Sequence, residues 1–295
     1  MTFKKISILI YSTLLFACIF SCTGYISKST QGEYAKTLQA LKYQMDYTQV
    51  YSTNVSNSNG LDSAEEVGQI NAGGEDIAAQ SKPEQDIPKE EKIVYLTFDD
   101  GPSARTLEIL DILKEHGVPA TFFVVNSEKD EDKAAIKRAF DEGHSIGVHT
   151  ASHNYRKIYK SVDSYLEDFE ICFNYVCEIT GSPPKIFRFP GGSKNNFNRN
   201  IYKDLTQEML RRGFIYFDWN VSSEDATKNY TTQSIYNHIM EGCKNHDISV
   251  VLMHDSAGKK STVAALKQAI PELLEQGFTF KGLDENVAPV IFKIK

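Results

Sequence analysis

From about residue 90 to the C-terminus, short apolar runs alternate with amphipathic stretches of helical length, and few architectures accept that pattern. The strand candidates are IVYLTF (93 to 98), TFFVV (121 to 125), SIGVH (145 to 149), KIFRF (185 to 189), FIYFDW (214 to 219) and ISVVLMH (248 to 254). Helical patterns fill the gaps at 106–116, 132–142, 162–180, 200–212, 232–243 and 262–276, and five of these six are followed directly by Gly, a common left-handed stop. Strands that are apolar throughout, separated by helices, predict a parallel sheet covered by helices. Such units either close into a barrel or lie open as a doubly wound sheet, and periodicity does not separate the two. In both, side chains at the C-terminal strand ends converge on one face, where sites are built.

Ahead of this domain, expected to span 89–295, the chain reads differently. Lys4 and Lys5 precede an uncharged run from Ile6 to Ile26, which predicts export as a signal peptide or a retained membrane anchor over 1–26. The same charge asymmetry predicts an extracytoplasmic location for the bulk of the protein, secreted or held at the cell surface. Residues 27–88 hold 4 basic and 9 acidic residues with no Phe or Trp, so this segment reads as a polar stalk. Tyr34, Leu38, Leu41 and Met45 recur at helical spacing within it and predict a short helix over 33–50. The formal charge of −7, with no concentrated basic stretch, argues against nucleic acid as a partner. Cys172, Cys177 and Cys243 are too few for a disulfide framework and read as buried thiols.

The strand ends carry the chemistry. The first ends in Asp99-Asp100, the third in His149-Thr-Ala-Ser-His153, the fourth in Arg188-Phe-Pro-Gly-Gly-Ser193, the fifth in Asp218-Trp219 and the sixth in Leu252-Met-His254-Asp255. His149 and His153 are four apart, and within a helical turn both imidazoles would share a face and a metal ion. With a carboxylate from Asp99 or Asp100 they make a two-His, one-carboxylate set that leaves coordination positions open, as catalytic sites require. Adjacent carboxylates at the end of a buried strand are costly unless a cation offsets them. Gly101-Pro102 supplies turn chemistry directly behind. Amide hydrolysis by an activated water fits these groups, and no Ser or Cys stands in the context of a nucleophile.

TFDDG, HTASH, RFPGG, DW and LMHD, in this order and with PATFFV at 119–124, resemble the motifs of the polysaccharide deacetylase family, the NodB-homology domain of carbohydrate esterase family 4. The resemblance covers roughly residues 90 to 280. It implies a distorted barrel of about seven β/α units, a divalent metal, usually zinc with cobalt or another ion as alternatives, and removal of N-acetyl groups from N-acetylglucosamine polymers. Carried over motif by motif, it implies that Asp100, His149 and His153 hold the metal and that Asp99 is the base acting on the attacking water. Arg188 is implied to keep Asp99 ionised, and the Gly191 N–H to donate to the oxyanion. His254 is implied to be the acid for the departing amine, with Asp218 raising its pKa and fixing its tautomer, while Trp219 and Leu252 wall the acetyl pocket. The stalk makes peptidoglycan the expected glycan partner, with chitin oligomers or an exopolysaccharide as alternatives, and a glycan-binding protein without catalysis as the rival class. One position departs from the family pattern: Gly191 stands where an aromatic usually follows the Pro, leaving Phe189 or Phe197 to supply that wall. Asp255 is expected to orient a loop, Tyr155 and Tyr159 to line the groove or a solvated helix face, and His116, His144, His238 and His246 to lie at the surface.

Overall fold

The computed structural model describes residues 91–292; the expected export segment, stalk and 33–50 helix lie outside the described residues. The described elements are β1 (Ile93–Asp99), α1 (Ala104–His116), β2 (Thr121–Val124), α2 (Asp130–Asp141), β3 (Ser145–Val148), a single turn α3 (Tyr155–Ile158), α4 (Val162–Thr180), β4 (Ile186–Phe187), α5 (Tyr202–Arg211), β5 (Ile215–Tyr216), β6 (Val221–Ser222), α6 (Thr232–Lys244), β7 (Ile248–His254), α7 (Lys260–Glu275) and β8 (Thr279–Phe280). All strand pairings are parallel, in the order β5-β4-β3-β2-β1-β7-β6, with β8 pairing the start of β1.

This order forces curvature. From β5 to β6 there are six inter-strand steps of about 4.8 Å, or about 29 Å across a flat sheet. Yet β5 and β6 are consecutive in the chain, and the stretch from Tyr216 to Val221 reaches at most about 17 Å. The sheet therefore curls until its two edges approach, giving the distorted barrel with outer helices that the motifs imply.

The long central strands β1 and β7 run side by side over their full lengths, from Ile93 opposite Ile248 to Asp99 opposite His254. Val94, Leu96 and Phe98 are fully buried, as are Val251 and Met253. Strands β4 and β5 are shorter than the apolar runs suggest, because the ladder thins where the chain enters the site. The bonds do not stop there: Arg188 N–H still donates to the Val148 carbonyl at 3.0 Å and Phe217 N–H to the Phe187 carbonyl at 3.1 Å. The run 214–219 is also not followed directly by a helix. A two-residue strand, β6, intervenes and was not visible in the pattern; nor was β8.

Helix ends follow the chemistry of their residues. Ser103 caps α1, accepting from Arg105 N–H, and Thr106 completes a reciprocal capping box. Gly117 ends α1 at φ 64°, where a residue with a Cβ would be strained. His144 is a correction to the expected surface histidines. It is only 7% exposed, and its Nδ1 accepts the Ala120 N–H at 3.2 Å, so burial holds its pKa low and the ring neutral.

Candidate active site

The site begins where β1 stops. Asp99, the last strand residue, points into the curled sheet and is 3% exposed. Asp100 adopts φ 72°, and its Oδ1 stands 3.6 Å from His149 Nε2, the same atom that Asp99 Oδ2 approaches at 3.7 Å. Among the described residues, four non-glycines have positive φ, and three of them, Asp100, Thr150 and His153, stand in the TFDDG and HTASH segments. That conformation costs an L-residue free energy, and it persists where surrounding structure over-determines it.

The turn is fixed from two sides. Val125 N–H donates to the Gly101 carbonyl at 2.8 Å and Asp255 N–H to the Asp99 carbonyl at 3.1 Å. The Asp255 carboxylate lies directly under Gly101: a Cβ there would sit 2.1 Å from Asp255 Oδ2, so only glycine fits. Asp255 also accepts from Thr106 Oγ1, tying the turn to α1. Burial pushes its pKa up to about 7.

Arg188 is fully buried and spends its donors on four acceptors. Nε reaches the Phe217 carbonyl at 2.9 Å, Nη1 reaches Thr97 Oγ1 at 2.7 Å and Asp99 Oδ1 at 2.9 Å, and Nη2 reaches the Asp218 carbonyl at 3.0 Å. Its guanidinium stacks 4.4 Å from the Phe123 ring centroid. Oδ1 of Asp99 is thereby occupied, and Oδ2 stands 3.7 Å from His149 Nε2. Arg188 pairs with Asp99 and favours its ionised form, as expected, but it is not the larger influence on that group. Burial dominates and raises the Asp99 pKa, with Arg188 pulling the other way. A cation held beside Asp99 would favour its ionised form further.

His149 and His153 do not lie on a helix as the spacing suggested; the segment between them is a loop ahead of α3. Asp168 of α4 holds that loop. Its Oδ1 accepts Ala151 N–H at 2.7 Å and Ser152 N–H at 2.8 Å, and its Oδ2 accepts Lys157 Nζ at 3.0 Å. Burial would raise the Asp168 pKa, but these bonds outweigh it and keep the group ionised. No motif marks Asp168. Asp168→Asn keeps the shape but loses the charge that gathers these donors, and should weaken divalent-cation binding by roughly 10- to 100-fold. Equilibrium dialysis checks this; affinity unchanged from the wild type would show that the loop holds its own geometry.

Asp100, His149 and His153 each offer one donor atom, and the three atoms lie within 4.8 Å of one another. His149 Nδ1 is 2.8 Å from the Arg188 carbonyl and must carry the proton, which leaves Nε2 with a free lone pair facing Asp100 Oδ1 at 3.6 Å. Burial lowers the His149 pKa to about 3, so the imidazole is neutral, the form that ligates. Asp100 Oδ1 is shielded from solvent and accepts no hydrogen bond, although His153 Nε2 stands 3.1 Å away. A buried, unsatisfied carboxylate oxygen facing two imidazole nitrogens fits a divalent cation, and the donor types suit zinc.

Across from Asp99, His254 ends β7. Its Nδ1 is 2.7 Å from Asp225 Oδ1, and its backbone N–H donates to Asp225 Oδ2 at 2.9 Å. Thr262 Oγ1 donates to the same Oδ2 at 2.8 Å, and Lys259 Nζ to the Asp225 carbonyl at 2.7 Å. Burial alone would lower the His254 pKa, but Asp225 first, with the carboxylates of Asp99 and Asp100, together outweigh it and hold the imidazole above its ordinary value. Asp218 therefore does not play the part expected of it. Its carboxylate accepts Ser193 N–H at 2.7 Å, Ser193 Oγ at 2.5 Å and Phe292 N–H at 2.8 Å, binding the Gly-Gly-Ser loop to the C-terminal segment. Asp225 follows the short β6 and was missed because nothing in the pattern marks that strand.

The remaining expected residues are placed as follows. Trp219 packs edge-on against Phe292, with ring centroids 4.8 Å apart, and lies beside Gly192 and the Arg188 guanidinium. Leu252 is 9% exposed and pairs in register with Thr97 and Ser222. Gly191, at φ 74°, lies under the ring of Tyr155, and Tyr159 Oη donates to the Pro190 carbonyl at 2.8 Å. Phe189 is 1% exposed and lines no groove, whereas Phe197 is 51% exposed. Cys172, Cys177 and Cys243 are unbridged; Cys172 and Cys243 are buried as expected, whereas Cys177 is only partly buried.

Comparison with known proteins bears directly on this arrangement. A family model described as polysaccharide deacetylase matches residues 86–210. The Bacillus subtilis protein YheN, which carries a polysaccharide deacetylase name, is 38% identical over 206 residues, covering 68% of this chain and 70% of that protein. A peptidoglycan-N-acetylglucosamine deacetylase of Bacillus cereus is 34% identical over 211 residues, covering 69% and 74% of the two chains. Among solved structures, the catalytic domain of peptidoglycan N-acetylglucosamine deacetylase from Eubacterium rectale superposes with a TM-score of 0.66 at 34% identity, over 74% of this chain and 98% of that one.

Proposed function

The chain belongs to the polysaccharide deacetylase family, and from that premise we propose that it hydrolyses the N-acetyl amide of N-acetylglucosamine residues in peptidoglycan. One observation carries the reading: an arginine-paired carboxylate, a three-donor cation set and a carboxylate-backed imidazole converge at one edge of the sheet. The names of the similar proteins support the choice of glycan.

Zinc held by Asp100, His149 and His153 would supply Lewis-acid polarisation of the acyl oxygen and acidify water. Asp99 takes the proton from the attacking water at Oδ2, the oxygen that Arg188 leaves open. The hydroxide oxygen bonds to the acyl carbon, and the backbone N–H of Gly191 donates to the oxyanion. His254, with Nδ1–H given to Asp225, carries its acidic proton on Nε2 and delivers it to the departing amine as the C–N bond breaks. Acetate and the free amino sugar are the products. Trp219 and Leu252 flank the acetyl methyl, and Asp218 acts one step back by holding the loop that contains Gly191 and Ser193.

The acid limb of this scheme gives a signed prediction. His254 must be protonated, so activity falls as pH rises through its pKa, which Asp225 holds up. Asp225→Asn should therefore move the alkaline limb of kcat/KM to lower pH, read from a pH–rate profile. An unmoved alkaline limb would remove His254 from the role of acid.

We place the enzyme outside the cytoplasm, secreted or attached to the membrane through its N-terminal segment, on the strength of Lys4, Lys5 and the uncharged run that follows. The substrate is tested by digesting purified sacculi after incubation with the protein and identifying by mass spectrometry which sugar has lost its acetyl group. Loss from N-acetylglucosamine supports the reading. Loss confined to N-acetylmuramic acid, or from chitin oligomers alone, would redirect it.

A further inference from the structure

A cleft of about 530 Å³ opens beside His153, lined by Ser152, His153, Asn154, Tyr155, Arg156 and Phe197. Its aromatic wall is built and held in place. The Tyr155 ring meets His153 edge-on at 5.3 Å and Phe197 at 5.2 Å, a continuous row leading away from the donor set. Tyr155 also fills the space over Gly191: a Cβ there would lie 2.8 Å from its Cε1 and 2.9 Å from its Oη. The aromatic that the motif pattern places after Pro190 is thus delivered from α3, and Gly191 is the residue that admits it.

Phe197 is half exposed, which is costly for a large apolar side chain without a partner. It does not sit on a loose loop. Asn195 Oδ1 accepts the Phe197 N–H at 2.8 Å, Asn195 Nδ2 donates to the carbonyls of Pro190 and Gly192 at 3.1 Å each, and Asn198 Nδ2 donates to the Ser193 carbonyl at 3.0 Å. An aromatic fixed in the open, in line with a catalytic centre, suits the apolar C–H face of a pyranose ring. Arg156, exposed at the same cleft, adds a cation at its rim.

We propose that Tyr155 and Phe197 form a subsite for the sugar next to the one deacetylated, and that Arg156 pairs there with a carboxylate borne by the glycan, favouring acidic peptidoglycan over neutral polymers. The inference rests on the deacetylase reading for the identity of the chain bound. Stacking removes apolar area from water on both partners, and a guanidinium recognises a carboxylate through paired hydrogen bonds.

The test measures binding and turnover separately on the full-length, zinc-loaded protein. Calorimetry with chitin oligomers and with soluble peptidoglycan fragments is compared among wild type, Phe197→Ala, Arg156→Ala and Phe140→Ala, the last an exposed aromatic of α2 in a different pocket. Phe197→Ala should weaken both ligands by roughly three- to tenfold. Arg156→Ala should weaken the peptidoglycan fragments alone, with a loss that shrinks at high salt, and Phe140→Ala should bind as wild type does. Wild-type affinity in the Phe197 and Arg156 variants overturns the subsite. If the wild type binds and the variants weaken as expected but no acetate is released, the subsite stands and the deacetylase reading fails. If acetate is released and the variants bind normally, that reading stands and the subsite fails. A wild type that neither binds nor releases acetate overturns both.

Discussion

Asp99→Asn should lower acetate release by roughly 10²- to 10⁴-fold while leaving cation affinity close to that of the wild type. The substitution is nearly isosteric, and the amide oxygen can still accept from Arg188 Nη1, now 2.9 Å from Oδ1. What disappears is the basic oxygen at the second position, which faces His149 Nε2 at 3.7 Å. Asp100, His149 and His153 are untouched, so dialysis should still find one bound cation per chain. A glycan-binding protein without catalysis would show no change in any readout. Asp99→Asn with wild-type turnover would remove Asp99 from the role of base.

Arg188→Met should cost about 3–5 kcal/mol of folding stability, read as a fall in the urea midpoint at constant slope. Arg188 is among the largest fully buried side chains of the described residues, and its guanidinium is the shared donor for Thr97, Asp99 and two carbonyls on the far side of the sheet. Removing it leaves a buried carboxylate without its partner and two carbonyls without a donor. Methionine fills part of the volume, so the loss reports lost polar pairing more than cavity formation. A midpoint equal to the wild type would mean that water repairs the network, and Arg188 would then matter for chemistry alone.

The parts of this fold legible in the sequence are those with local causes. Strands β1 and β7 are continuous apolar runs buried on both faces, and the helices that stop at Gly117, Gly143, Gly181, Gly213 and Gly277 do so at positive φ, which glycine tolerates. Strands β4, β5, β6 and β8 are two residues long, and their pairing comes from sheet curvature, which no window of sequence contains. The donors Asp100, His149 and His153 were legible as residue types at a strand end, but not in their backbone. Four-residue spacing suggested a helix, whereas the loop is set by Asp168, well along the next long helix.

The partner of His254 was misread for the same reason. The family resemblance implies Asp218, yet the chain turns back through β6 before a carboxylate, that of Asp225, comes within 2.7 Å of the imidazole. His144 looked like a surface residue, but it satisfies the Ala120 N–H inside the sheet. In each case the decisive contact joins residues distant in sequence, and only the folded register brings them together.

Acetate release from purified peptidoglycan by the full-length protein, measured as isolated, after chelation, and after zinc is restored, tests the central claim most directly. The account predicts release that stops on chelation and returns with zinc in the wild type, and that does not return in His149→Ala. Release that persists through chelation, or that is equal in His149→Ala, would contradict it.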